Sequence, residues 1–336
     1  MSGNEKVCGM RVLFAGTPEV AVPPLKALLD SGHDVVAVLT MPDVEAGRGR
    51  RVRPSPVAVA AADAGLETLK PTSLRSPDVH AHLEALHLDV AAVVAYGALV
   101  PPSLLALARH GWVNLHFSLL PAWRGAAPVQ RAIMAGDDII GATTFHLTQG
   151  LDTGPTLARV TESVRPADTA GDLLGRLSDA GAHLLVCTLD ALAAGTAHPQ
   201  PQPREGISHA PKLTSQDALI DWTRPAYGVD RQIRGCTPEP GAFTTIGDRR
   251  LQVLAAEPVP DSAALTDATP SRDGGPVAQR PGALTISKRE VLVSTGSGLV
   301  RLLRVRPEGK QMMGAADWAR GARVVSGDVI GRPAHG

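Results

Sequence analysis

A chain of 336 residues is long for one domain, so two are expected, and 44% hydrophobic residues, 20% charged residues and a mean hydropathy of +0.03 exclude a disordered chain. Net charge is zero but unevenly spread: residues 1–210 hold 16 basic and 20 acidic side chains, residues 211–336 hold 17 and 13, so the C-terminal part is the one able to attract a polyanion. Three scattered cysteines, Cys8, Cys187 and Cys236, with no C-x-x-C, argue against a disulfide framework or structural zinc and for a reducing compartment.

The opening MSGNEKVCGM has no apolar signal region, and the longest apolar run, Val90 to Val100, is too short for a bilayer and is broken by Gly97. A cytoplasmic protein without a membrane partner is expected. Residues 11–15, RVLFA, read as a buried strand, Pro18 sits at a helix start, and residues 34–40 form the next strand. This strand–helix–strand order opens a doubly wound, mostly parallel sheet, without the G-x-G-x-x-G of a dinucleotide site. Residues 41–53 break the pattern. They are polar, carry Arg48, Arg50, Arg51 and Arg53 among glycines, and read as an exposed loop, either simply solvated or built to grip phosphates. Helices follow near 54–64, 77–87 and 101–109, with strands at 66–69 and 90–96. His80, His82 and His87 lack the spacing of a metal pair.

Trp112 to His116 is the next strand. Asn114 and His116 are two apart, so both side chains leave the strand on one face. Leu119-Leu120-Pro121 turns the chain, and a helix spans about 127–134. Strands are expected at 141–148 and 156–164, separated by the two-glycine turn QGLDTGP that carries Asp152. A long helix covers 169–194. Residues 196–211, rich in proline, favour an extended linker. Beyond it come a short strand at 217–222, a helix at 226–235, and strand-like runs near 242–246, 251–255, 282–286, 290–295 and 298–303, which suggest a small β-barrel. Residues 257–281 look like a hairpin insertion.

Read singly, these polar residues have ordinary uses. Asp152 suits an Asx-turn, Asn114 a strand end, and the Leu-Leu-Pro turn a plain core turn. Read together, AGTPE, AGRGRR, VVAYG, VNLHFSLLPAWRGAAPVQRA, GLDTGP, IDW and RPEGKQMMGAADWARG resemble the methionyl-tRNA formyltransferase family, in the family's order and over almost the whole chain. The resemblance implies a formyltransferase catalytic domain at 9–195 with a Rossmann-like sheet, a linker at 196–211 and an OB-like β-barrel tRNA-binding domain at 212–332. It implies transfer of a formyl group from 10-formyltetrahydrofolate, a co-substrate, to the amine of initiator methionyl-tRNA, by a monomer and without a metal. By position, the catalytic trio falls on Asn114, His116 and Asp152, and the folate-contacting turn on Ser118, Leu119, Leu120 and Pro121. The arginine that engages the tRNA acceptor end falls on Arg48. Phe117 departs from the glycine common after the active-site histidine, and strand alternation should turn it away from the pair.

The chemistry suits these residues. Acyl transfer to an amine needs a neutral nucleophile, a donor for the oxyanion and a route for protons. Asn114 can supply the donor and His116 can hold or pass a proton, with Asp152 orienting the ring and favouring its cationic form. Other folate-dependent enzymes, a sugar-nucleotide formyltransferase or a 10-formyltetrahydrofolate hydrolase, would share the trio. The arginine loop and the basic C-terminal part separate them from the tRNA enzyme. A non-catalytic tRNA-binding protein would have no use for the intact trio, and a nicotinamide oxidoreductase lacks its glycines.

Overall fold

A computed structural model describes residues 9–46, 51–259 and 280–331. They form two compact units, one of Met1–Pro128, Ile139–Ser163 and Leu174–Ala210, the other of Val129–Asp138, Val164–Leu173 and Pro211–Gly336. Two segments inside the 9–195 range, 129–138 and 164–173, thus pack with the second unit.

The first unit is built on a seven-stranded sheet. Its strands are β1 (Arg11–Gly16), β2 (Asp34–Leu39), β5 (Thr68–Leu69), β6 (Val90–Val94), β7 (Trp112–His116), β8 (Ile139–His146) and β9 (Thr156–Ser163), in the order β5-β2-β1-β6-β7-β8-β9. The strands from β5 to β7 run parallel; β8 and β9 are antiparallel. The centre is buried on both faces, which is why RVLFAG and VAAVV read as nearly unbroken apolar runs. Helices α1 (Val22–Leu29), α2 (Pro56–Asp63), α3 (Pro77–Ala85) and α4 (Pro102–Leu105) connect the parallel strands. Each carries proline in its first turn, where the missing N–H costs no helical bond. The chain steps outward from β1 to β2 and β5, then crosses to β6 on the other side of β1. Such a reversal opens a crevice beyond the carboxyl ends of the strands, the usual ligand position in an open α/β sheet.

Between β2 and α2 the expected loop is in part an antiparallel ribbon, β3 (Val44–Ala46) with β4 (Arg51–Arg53), on which Val44 and Val52 are exposed. Arg48 lies outside the described residues.

The second unit holds α7 (Ser215–Ala218), α8 (Ala226–Gly235), an antiparallel sheet and a last helix, α9 (Ala315–Ala322). The chain before them includes α5 (Pro128–Ala135) and the long α6 (Ala170–Ala193). The strand expected at 217–222 does not form: its first two residues end α7. Thr214 and Asp217 form a reciprocal capping box that starts a helix, and only Leu219 beyond it bridges to Phe243. Asp217 also meets Arg131 at 2.8 Å, and the guanidinium, with the Thr214 N–H, holds its carboxyl down to about 2. The sheet runs β10 (Phe243–Ile246), β11 (Arg249–Val259), β14 (Leu299–Pro307), β13 (Val291–Ser294), β12 (Leu284–Ile286), with β15 (Met313–Gly314) on β14. β10 and β12 do not pair directly. Residues 328–331 fill the gap: Ile330 N–H donates to Gly282 O at 2.9 Å and Gly331 N–H to Thr245 O at 2.8 Å. The curled sheet thus closes around Trp222, Val253, Val293, Leu302 and Trp318, all buried. Of the expected 257–281 insertion, residues 257–259 continue β11, which runs on to Val259, and residues 260–279 lie outside the described ones.

One buried histidine gives the first unit a pH dependence. His33 accepts the Met10 N–H on Nδ1 at 3.2 Å, while Nε2 lies 3.3 Å from Asp190 Oδ1 outside hydrogen-bonding geometry. Burial outweighs Asp190 and pushes its pKa below the usual histidine value. The folded state therefore binds fewer protons than the unfolded state once pH falls below about 6.5, and stability drops by up to about 1.4 kcal/mol per pH unit until the folded value is reached. Thermal midpoints of the wild type should fall from pH 7.5 to about pH 5.5, and His33→Asn, which keeps an acceptor for Met10, should flatten that slope. An unchanged slope would remove His33 from the account.

Candidate active site

β7 ends at His116, and its register fixes what surrounds the pair. Asn114 stands opposite Phe145 of β8 and Val93 of β6; His116 stands opposite Thr143. Directly paired residues share a face, so Asn114, His116, Phe145 and Thr143 point the same way. Asn114 is half-buried, and among the described residues its carboxamide has no hydrogen-bond partner. His116 is 7% exposed, and the Phe145 ring meets its ring edge-on at 6.4 Å.

Two loops complete the site. The loop after β7 brings the Trp123 carbonyl to His116 Nε2 at 2.9 Å. A carbonyl only accepts, so Nε2 carries a proton, and in the neutral ring Nδ1 holds the free lone pair. The loop between β8 and β9 brings Asp152, 8% exposed, whose Oδ2 lies 3.8 Å from Nδ1. This is an ion-pair contact when the ring is doubly protonated, and longer than a hydrogen bond. Asp152 Oδ2 also accepts the Gly125 N–H at 2.8 Å, while Oδ1 has no protein donor among the described residues. The sequence-predicted trio is therefore brought to one place, with one carboxylate oxygen and one carboxamide left available.

Both loops are held in uncommon backbone conformations. Asp152 has φ +51° and Trp123 φ +59°, the left-handed region that non-glycine residues enter at a cost when their surroundings fix them. Gly125 has φ +125°, and a Cβ there would stand 2.7 Å from Ala210 O, so only glycine lets the loop lie against residues 208–210. Those residues belong to the proline-rich run read as a linker. Here they pair with the loop: Arg124 N–H donates to Ser208 O, Ala210 N–H to Arg124 O, and Trp123 N–H to Ser208 Oγ.

The expected folate turn is rigid. The Ser118 hydroxyl donates to Ala122 O at 2.6 Å, and Thr143 Oγ1 donates to Ser118 O and accepts the Leu120 N–H. Ser118, Leu120 and Pro121 are buried, while Leu119 is half-buried. A flat ligand would meet Leu119 and backbone here, not the serine hydroxyl.

Sequence reasoning missed Thr143, the Trp123 carbonyl and Gln202. Nothing in the sequence distinguishes Thr143 from the rest of its β-rich run, and Gln202 lies among prolines. Among the described residues no group of three or more His, Cys, Asp or Glu is placed to hold a metal, and no helix is long and apolar enough to cross a membrane.

Comparison with known proteins adds to this geometry. Residues 10–189 match the model "Formyl transferase" and residues 212–323 "Formyl transferase, C-terminal domain". The chain is 54% identical over 323 residues to a methionyl-tRNA formyltransferase of Streptomyces coelicolor, covering 96% of this chain and 100% of that one. It is 55% identical over 329 residues to that of Acidothermus cellulolyticus, covering 95% and 99%. Among solved structures it resembles a variant of HypX from Aquifex aeolicus in fold, with a TM-score of 0.64 at 16% identity, covering 95% of this chain and 49% of that longer one.

Proposed function

The chain belongs to the methionyl-tRNA formyltransferase branch of the formyl transferase family, and from that premise we propose that it moves a formyl group from 10-formyltetrahydrofolate to the amino group of initiator methionyl-tRNA. The observation that carries the reading is the meeting of His116, at the end of β7, with Asp152, on the loop between β8 and β9, beside an Asn114 carboxamide that has no partner among the described residues.

The residues divide the work as follows. Asn114 donates an N–H to the oxygen that gains charge as the amine attacks the formyl carbon. His116, with Nε2 committed to Trp123 O, exchanges protons at Nδ1. Asp152 faces Nδ1 with one oxygen and offers the other to the amine or to a water beside it. The proton leaves the amine on this side, and one is returned to the folate nitrogen as its bond to the formyl carbon breaks. The turn Ser118-Leu119-Leu120-Pro121, held by Thr143, supplies a fixed wall of backbone and Leu119 for the flat folate ring. Arg48 engages the tRNA acceptor end. Residues 9–195 carry the chemistry, 196–211 join the domains and 212–332 bind tRNA. The protein works as a monomer in the cytoplasm.

Purified protein should formylate initiator methionyl-tRNA with 10-formyltetrahydrofolate as donor, measured as acid-precipitable formyl-methionyl-tRNA. Formylation of a nucleotide-linked amino sugar with none on the tRNA would overturn the reading. Arg48→Ala should raise KM for tRNA by about tenfold or more while folate binding holds; a loss of folate binding would refute that assignment.

A further inference from the structure

The carboxamide of Gln202 joins the two loops that build the site. Its nitrogen donates to Asp152 O at 2.8 Å and to Gly154 O at 2.8 Å. Its oxygen accepts from Arg124 Nε at 3.1 Å and Arg124 Nη2 at 2.6 Å. Both donor hydrogens are used, and the oxygen takes two bonds, so the group is filled by protein alone. Arg124 lies between Trp123, whose carbonyl holds His116, and Gly125, whose N–H holds the Asp152 carboxylate. Gln202 itself is anchored through Gln200, which pairs antiparallel with Thr156 at the start of β9.

We infer that Gln202 is a positioning residue for the reaction: it spans the loops bearing His116's partner and Asp152 and so fixes the distance between the imidazole and the carboxylate. The inference rests on the trio assigned above. Asp152 sits in the left-handed region, which a non-glycine residue enters at a cost, and Gln202 is the side chain that binds the Asp152 and Gly154 carbonyls. Without it, the carboxylate keeps its Gly125 bond but the loop behind it loses two anchors. Arg124 loses its acceptor at the same moment, so both sides of the contact loosen. Misplacement of a catalytic group by about 1 Å can cost about 100-fold in rate.

Two replacements separate positioning from mere support. Gln202→Glu keeps the shape and the contact to Arg124 but has no N–H for the two carbonyls; Gln202→Leu removes everything. Both should lower kcat by about 10–100-fold, with KM for tRNA and folate held within about threefold. In an Asp152→Asn background, adding Gln202→Glu should cost less than about threefold, because the residue acts through Asp152. A purely structural role would instead give additive losses and a parallel fall in thermal midpoint. Full kcat in Gln202→Glu, additive losses, or an effect confined to KM would each overturn the inference. If Asp152→Asn alone keeps full activity, the trio assignment fails instead, which the same experiment reveals separately.

Discussion

Asn114→Ala is expected to lower kcat for formyl transfer by about 10²–10³-fold while KM for each substrate stays within about threefold. The Asn114 side chain is placed for such a role in the protein alone. It is half-buried on β7, aligned with His116, and among the described residues its carboxamide has no protein partner. A structural asparagine would spend that carboxamide on a backbone group, as Gln232 does with Asp217 O and Leu219 O. Among the described residues nothing takes the Asn114 N–H, which leaves it open to a substrate. A donor that strengthens only as charge develops on the substrate oxygen changes kcat and leaves ground-state binding alone. Asn114→Asp tests the sign: it keeps size and shape but presents an acceptor where a donor is needed, and should be at least as damaging as alanine. Activity within fivefold of wild type in Asn114→Asp would show that the carboxamide does not meet the oxyanion.

What the sequence discloses here depends on how local each feature is. The β7 pair is legible because alternation along five residues places Asn114 and His116 on one face, and the parallel core is legible because doubly buried strands are apolar throughout. Asp152 is legible only through its motif, since nothing in QGLDTGP by itself says that the loop returns to β7. The capping of α7 was written in the sequence as Thr214 and Asp217, three apart, but the apolar residues just beyond suggested a strand. Gln202 and Ser208 are the clearest failures. Four prolines make residues 196–211 look like a free linker, and proline does force an extended chain. An extended chain can also pair with its neighbours, and Gln200, Ser208 and Ala210 do so with Thr156 and Arg124. Closure of the barrel by residues 328–331 is equally silent, because it uses backbone groups that any sequence could offer.

His116→Gln is the sharper probe of the proton route, because the two ring nitrogens are held differently. Nε2 is tied to the Trp123 carbonyl at 2.9 Å, and Nδ1 faces Asp152. Glutamine places an amide N–H near the position of Nε2, so it can keep the Trp123 contact and with it the conformation of a residue at φ +59°. It has no basic nitrogen at the Nδ1 position. If His116 serves only to hold the loop, His116→Gln should work nearly as well as wild type, and His116→Ala should be both slow and less stable. If Nδ1 exchanges protons, both variants should lose about 10²–10⁴-fold in kcat, whether or not the fold is preserved. The second outcome is expected. It should come with Kd for tRNA and for the folate donor within about threefold of wild type. Asp152→Ala combined with His116→Gln then decides whether the two groups form one unit. Nδ1 and Oδ2 face each other across 3.8 Å, both nearly buried, so removing the carboxylate after the base has gone should cost far less than removing it first. Equal costs in the two backgrounds would mean that the two groups act independently and that the contact between Nδ1 and Oδ2 does not couple them.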